Sequence, residues 1–160
     1  MMYNIFVLKN ILYQLINRLK KGWIIMFTSV SPKEVRKCTD PKQLAEYACI
    51  LEPELKLEVA KNPHTRATAL NHLANESNEE ILLAVASHRN AGKSGLRYLG
   101  TILGDEKIAL AVAKNFRTTT KILDDMFELW KHSPKIVKAI KTHPNVSSYT
   151  AELCTYLEMR

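Results

Sequence analysis

One apolar pattern occurs four times along the chain, and no other feature restricts the possible folds as strongly. Its anchors, Val59, Val85, Val112 and Ile140, stand 26, 27 and 28 residues apart. The positions eleven residues after the anchors are also apolar: Leu70, Leu96, Leu123 and Ala151. A repeat of this length is typical of proteins that stack one helical unit on the next, because a single unit cannot bury its own apolar face.

Each unit has the pattern of two short helices. Ser77 and Glu80 form a capping box ahead of apolar residues at helical spacing. Asp40 and Ser133 each precede a proline, which favours a helix start at both places. No run alternates strictly between apolar and polar residues, as a half-buried strand would. The sequence therefore predicts an all-α protein with about four two-helix repeats.

The residue three positions after each anchor is polar: Asn62, His88, Asn115 and His143. Our interpretation is that each side chain bonds backbone groups where the first helix of its unit ends. A metal site is the alternative, and it needs histidines that converge with thiolates or carboxylates. Equivalent residues of a stacked repeat lie one helix layer apart, roughly 10 Å, which is too far for shared ligation.

The positive charge of the chain is unevenly distributed. The 160 residues carry a net charge of +7. Residues 1–25 contain no acid and four basic residues: Lys9, Arg18, Lys20 and Lys21. Residues 26–160 therefore carry only +3, and we expect them to form a single helical-repeat domain. A domain-wide nucleic-acid surface would need basic residues clustered on one face.

The cysteines exclude two classes of protein. Cys38, Cys49 and Cys154 are odd in number and widely spaced, so they make neither a disulfide framework nor a CxxC metal pair. We predict a reducing compartment, the cytoplasm, and thiols that mostly pack as small apolar groups.

Residues 1–25 form a distinct amphipathic, basic segment. Apolar residues spaced three and four apart place one stripe along a helix: Ile5, Leu8, Leu12, Leu15 and Leu19. Polar and charged residues interrupt the apolar run, so the pattern fits neither a membrane span nor a signal peptide. Three alternatives stay open. The helix packs on the body, or it contacts a membrane surface or partner helix, or the natural protein starts at Met26.

Two of the units resemble a known family. "VAKNPHT…LNHLA" in Val59–Ala74 and "VASHRNA…LRYLG" in Val85–Gly100 are similar to the leucine-rich repeat variant family, and more broadly to HEAT-type α-superhelices. The resemblance covers roughly residues 44–157 and implies a right-handed α-solenoid with alternating α- and short 3₁₀-helices. The family unit is shorter, and its proline is replaced by Arg89 and Phe116. No part of the chain matches the family's iron–sulfur module, so no cofactor is implied.

The stretch "NAGKSG", Asn90–Gly95, invites comparison with a phosphate-binding loop. That motif needs a glycine where Ser87 stands, and it needs a strand before the loop. We predict instead that Gly92 and Gly95 let a turn or a helix pair pack closely.

No residue set has the spacing of a catalytic site. The adjacent acids Asp124 and Asp125 point in different directions on a helix, which favours a solvated face over an acid–base pair. Phe127 and Trp130 are predicted to lie in the core. No pattern of serine or cysteine with histidine suggests a nucleophile, although such sets are assembled in space rather than in sequence.

The leading functional hypothesis is a non-enzymatic helical-repeat module that mediates protein–protein interaction. The alternative is a nucleic-acid-binding HEAT-like protein that uses a basic face. The candidate interaction surface for either role is a set of basic residues near the turns of the middle units: Lys93, Arg97, Lys114, Arg117 and Lys121. Homodimerisation is a further hypothesis, because the last helix keeps outward apolar candidates: Tyr149, Leu153, Tyr156 and Leu157.

Overall fold

The computed structural model of the chain describes residues 30–50 and 52–159. The chain divides into two units after Ser31, and all the described helices belong to the second unit. The basic segment predicted over residues 1–25 and the alternative start at Met26 lie outside the described residues.

Ten α-helices follow one another in the described part of the second unit. They are α1 Pro32–Lys37, α2 Pro41–Ile50, α3 Pro53–Lys61, α4 Ala67–Leu73, α5 Glu79–Ser87, α6 Lys93–Arg97, α7 Glu106–Lys114, α8 Thr120–Trp130, α9 Pro134–Lys141 and α10 Ser148–Glu158. After α6 the chain makes one π-helical turn, Tyr98–Ile102. Residues 30–50 and 52–159 contain no strand, so the all-α prediction is confirmed for them. None of these helices is long and apolar enough to cross a membrane.

The helices pack in two rows. The odd-numbered helices contact one another in chain order, α1 on α3, α3 on α5, α5 on α7 and α7 on α9, and we call them the first row. The even-numbered helices form the second row, in which α2 packs on α4, α4 on α6, and the π-helical turn on α8. Between the rows, helices adjacent in the chain also pack together, for example α8 on α9 and α9 on α10.

The repeated apolar positions form the core between the rows. The anchors Val59, Val85, Val112 and Ile140 are each at most 1% exposed. The leucines eleven residues later, Leu70, Leu96 and Leu123, are fully buried. The pattern recurs because each layer presents the same small and large apolar side chains to the next layer.

A fifth unit precedes the four found in the sequence. Val35 is fully buried, and its carbonyl accepts the backbone N–H of Cys38, as the Val59 carbonyl accepts that of Asn62. The sequence pattern misses this unit because Arg36 replaces the expected alanine and Cys38 replaces the polar residue.

The predicted helix starts are partly confirmed. The Oδ1 atom of Asp40 accepts the backbone N–H of Lys42 at 2.9 Å, as expected for a cap of α2. The prediction for Ser77 was wrong, since Asn78 caps α5 by accepting the N–H groups of Glu80 and Ile81. Asn78 is the cap because it directly precedes the first helical residue, and asparagine caps a helix as well as serine does.

Close helix packing explains the glycines of "NAGKSG". A Cβ on Gly92 would lie 2.5 Å from the Oδ1 atom of Asn71 in α4. The same Oδ1 accepts the backbone N–H of Gly95 at 3.0 Å. The glycines therefore let α6 approach α4, which confirms the prediction of close packing.

The π-helical turn leads from α6 toward α7 and packs on α8. It is closed by the N–H of Leu103 on the carbonyl of Tyr98 at 3.1 Å. The indole N–H of Trp130 donates to the carbonyl of Gly100 at 2.8 Å. A Cβ on Gly100 would lie 2.8 Å from Met126 Sδ, so the turn sits tightly on α8. Trp130 is thus half-buried and hydrogen-bonded.

Burial was predicted for Phe127 and for most of the three cysteines. Phe127 is buried, as predicted for a core residue. The prediction that the thiols mostly pack as apolar groups was wrong. Cys154 is buried, and burial raises the pKa of its thiol. Cys49 is exposed, and Cys38 is half-buried with its thiol directed to the Oε1 of Gln43 at 3.3 Å.

Candidate functional site

A ladder of side chain to backbone hydrogen bonds ties the layers together where the first-row helices end. The Nε2 atom of His88 lies 3.0 Å from the carbonyl oxygen of Asn62, one layer before it. Asn115 then donates from Nδ2 to the carbonyls of Ala86 and His88, at 2.6 and 3.1 Å. The Nε2 atom of His143 lies 2.9 Å from the carbonyl of Asn115. The predicted structural role of these residues is confirmed, and each of them also reaches the preceding layer.

The ladder alternates between two kinds of unit. In the asparagine units a threonine three residues later, Thr65 or Thr118, donates its hydroxyl to the anchor carbonyl of its own unit at 2.6 Å. In the histidine units an asparagine two residues later, Asn90 or Asn145, donates to the threonine carbonyl of the preceding layer, at 3.1 and 2.9 Å. The structural repeat is therefore a pair of units, which spacing alone does not show.

The hydrogen bonds define the state of the ladder histidines. The Nδ1 atom of His88 accepts the backbone N–H of Asn90 at 2.9 Å, so Nδ1 carries no proton and Nε2 donates. Protonation at Nδ1 would place a second N–H donor opposite the N–H of Asn90, with no acceptor between them. Burial lowers the pKa of His88 below its ordinary value, and nearby Arg89 lowers it further, although the bond to Asn62 opposes this.

His88 makes folding stability depend on pH. The unfolded histidine binds a proton near pH 6.5 and the folded one only at lower pH, so the unfolded state binds more protons as the pH falls. The contribution is fully present above about pH 6.5 and is lost as the pH falls toward the folded pKa. We expect His88→Asn, which places the asparagine of neighbouring units in the ladder, to flatten this dependence by up to about 1.4 kcal/mol per pH unit.

Urea unfolding of the full chain between about pH 7.5 and about pH 5.5 measures this dependence. His72→Asn is the matched control, because His72 is exposed on α4. An identical pH dependence in wild type and His88→Asn would contradict the role given to His88.

Two equivalent grooves open between neighbouring first-row helices. The α3–α5 groove has a volume of about 720 Å³, and the α7–α9 groove one of about 540 Å³. Both have a floor of alanine and leucine, Ala60, Leu83 and Ala84 in one and Leu110, Ala113 and Ala139 in the other. The repeat therefore presents a groove with an apolar floor to solvent twice, two layers apart.

The charges around the two grooves differ. Lys114, Lys135 and Lys138 line the α7–α9 groove, and the described residues around it include no carboxylate. In the α3–α5 groove Glu80 stands at the position of Lys135, and Leu83 at that of Lys138. Two basic residues and Glu80 give the described lining of the α3–α5 groove a net charge of +1, against +3 for the α7–α9 groove, which is therefore the more electropositive.

A third groove lies on the second row. It has a volume of about 640 Å³ and is lined by residues of α6, α8 and α10, among them Arg97, Asp124, Asp125, Glu128 and Tyr149. The Asp124 Oδ1 accepts hydrogen bonds from the hydroxyls of Ser147 and Thr150 at the start of α10. The predicted solvated face is wrong for Asp124, since it joins α8 to α10.

The structure does not bring the five predicted basic residues into one groove. Lys114 lines the α7–α9 groove, while Arg97 lines the second-row groove and lies 3.8 Å from the Asp125 carboxylate. Lys93 is exposed at the start of α6, Arg117 in the turn after α7, and Lys121 at the start of α8. Lys135 and Lys138 were missed by the sequence analysis. A comparison of charge at equivalent repeat positions would have found them, because Glu80 and Leu83 occupy those positions two layers earlier.

The described residues contain no group of three or more histidines, cysteines or acids that could hold a metal ion. No protein-family model, curated protein or solved structure matches the chain.

Proposed function

We propose that the chain is a non-enzymatic helical-repeat module that binds a partner protein through the exposed surface of its first-row helices. The fold proposed with it is a right-handed α-solenoid of the leucine-rich repeat variant kind, in a cytoplasmic protein. Stacked helical pairs of this type offer extended surfaces for binding.

The observation that carries the proposal is the pair of equivalent grooves on the first row. Their floors are apolar and their rims are charged, which is the composition of a protein interface with an apolar centre and a polar rim. The polar groups that recur in each layer are used in the ladder, because Asn115 and His143 bond backbone atoms of the preceding layer. They stabilise the stack and are not available for chemistry.

Nucleic-acid binding is the second candidate function. Lys93, Arg117 and Lys121 are exposed, and none forms an ion pair with a described residue. The affinity of these residues for a phosphate backbone would fall steeply as the salt concentration rises, because binding releases counterions from the nucleic acid.

Homodimerisation remains a prediction with one supporting observation. The outer face of α10 is partly apolar, as predicted, with Tyr149 70% and Tyr156 57% exposed. A second copy is one partner that such a face fits.

The test is selection of a displayed library of random peptides on the immobilised full chain, followed by binding of the selected peptides in solution. Duplex DNA and single-stranded RNA are titrated in parallel at low and high salt. The expected result is a set of peptides that bind the folded chain with a common sequence pattern. A folded chain that selects no peptide would contradict the proposal, and tight salt-dependent binding of nucleic acid would establish the second candidate.

A further inference from the structure

The charge of α9 is concentrated on the side of the α7–α9 groove. The helix carries three lysines and no acid. Lys141 is paired with Glu158 of α10 at 2.5 Å, whereas Lys135 and Lys138 pair with no carboxylate in the described part of the chain. Lys114 adds a third cation from the end of α7. Three cations around one groove raise the local electrostatic potential. This potential attracts an anionic group, and a bound anion would lower it.

The stacking of the helices does not require these lysines. Residues that the repeat needs recur in both grooves, such as Ala60 with Ala113 and Ala84 with Ala139. At the two positions of α9 that carry Lys135 and Lys138, the equivalent helix α5 carries an acid and a leucine. The fold accepts a lysine, an acid or a leucine at these equivalent positions, so helix packing does not dictate the residue there. The side chains at these positions are therefore available for binding.

The floor of the groove is apolar. Leu110 of α7 and Ala139 of α9 are half-buried, so each keeps apolar surface exposed to solvent. A small inorganic anion would leave this surface in water. A ligand that covers the floor as well as the lysines must carry a hydrocarbon group next to its negative charges.

These features favour a protein segment over a nucleic acid. Single-stranded nucleic acids bind through stacking on aromatic side chains and arginine planes. Among the described residues that line the α7–α9 groove there is no arginine, phenylalanine, tyrosine or tryptophan. The aromatic ring among them, His143, is buried in the ladder. Lysines act as point charges toward carboxylates and phosphates alike. The apolar floor decides for a peptide, because a phosphate backbone has no hydrocarbon side chain to cover it.

We propose that the α7–α9 groove binds an acidic peptide segment of a partner protein. One apolar side chain of the segment covers Leu110 and Ala139, and flanking carboxylates lie against the three lysines. The inference rests on the proposed function, which it deepens by naming the site and the chemistry of the partner.

The test uses a short fluorescent peptide of glutamates around a central leucine, titrated into the full chain at low salt and followed by anisotropy. The double variant Lys135→Glu/Lys138→Leu copies the residues of the α3–α5 groove, so the fold is known to accept them in an equivalent place. We expect it to weaken binding about tenfold or more. Lys138→Gln is a milder second variant, expected to weaken binding severalfold.

The matched control is Lys131→Gln, because Lys131 is exposed just after α8 in the second row and lines none of the three grooves. Its binding is expected to equal that of the wild type. Thermal melts of all variants show whether each is folded. A second control peptide with serine in place of the leucine tests the floor, and it is expected to bind more weakly than the leucine peptide.

Three outcomes of these titrations would overturn the proposal. They are a folded double variant that binds like the wild type, no binding of the leucine peptide by the wild type, and a single-stranded RNA that displaces the peptide through the same lysines with higher affinity. If the library yields only non-acidic peptides that bind elsewhere on the first row, the groove proposal fails and the proposed function stands. If no library peptide binds, both fail.

Discussion

Asn115→Asp is expected to lower the free energy of unfolding by about 3–5 kcal/mol. The side chain is only 6% exposed, and its Nδ2 atom donates to the carbonyls of Ala86 and His88 at 2.6 and 3.1 Å. The Ala86 carbonyl lies in the last turn of α5, where helical carbonyls have no partner in their own helix. A carboxylate would set a negative oxygen against both carbonyls, in a site with little access to water.

The measurement is urea unfolding of the full chain at neutral and at mildly acidic pH. The loss is expected to shrink on acidification, because protonation of the introduced carboxyl restores one donor. Asn78→Asp is the matched control, since Asn78 is an exposed helix cap and either residue caps well, so its effect is expected to stay within about 0.5 kcal/mol. A loss below about 1 kcal/mol in Asn115→Asp would show that the ladder contributes little to the stack.

Leu123→Ala is expected to lower the free energy of unfolding by about 3 kcal/mol. Leu123 is fully buried between the rows and holds one of the repeated apolar positions. Truncation to alanine removes apolar contacts and leaves a cavity that the flanking helices close only in part. The effect should be similar for the equivalent Leu70 and Leu96, because each fills the same place in its layer.

Chemical denaturation of the three variants checks this equivalence. Leu129→Ala is the control on the same helix, since Leu129 is 49% exposed and its truncation is expected to cost less than about 0.5 kcal/mol. A Leu123→Ala variant as stable as Leu129→Ala would mean that the repeat positions do not form the core.

The helical class and the repeated core were predictable from sequence, because both depend on spacing. Val85, Val112 and Ile140 mark equivalent positions, and each is buried. The capping of α5 was missed by one residue because serine and asparagine both suit that role and stand side by side at Ser77 and Asn78.

The surface was harder to predict than the core. The predicted basic set mixed two faces, since Lys114 belongs to the first row and Arg97 to the second. Side chains that are close in sequence point in different directions from a pair of helices. Only the packing of the helices therefore shows which charges share a groove. Lys135 and Lys138 were missed because a lysine on a helix is ordinary until it is compared with the equivalent layer.

The most direct measurement is a set of backbone amide NMR spectra of the full chain titrated with the peptides that the library selects. Amide shifts are expected along α7 and α9, around Leu110, Lys114 and Lys138, with little change around Asp125 and Tyr149 on the second row. A folded spectrum that no selected peptide alters would contradict a binding role. Shifts confined to the second row would place that role on the opposite face.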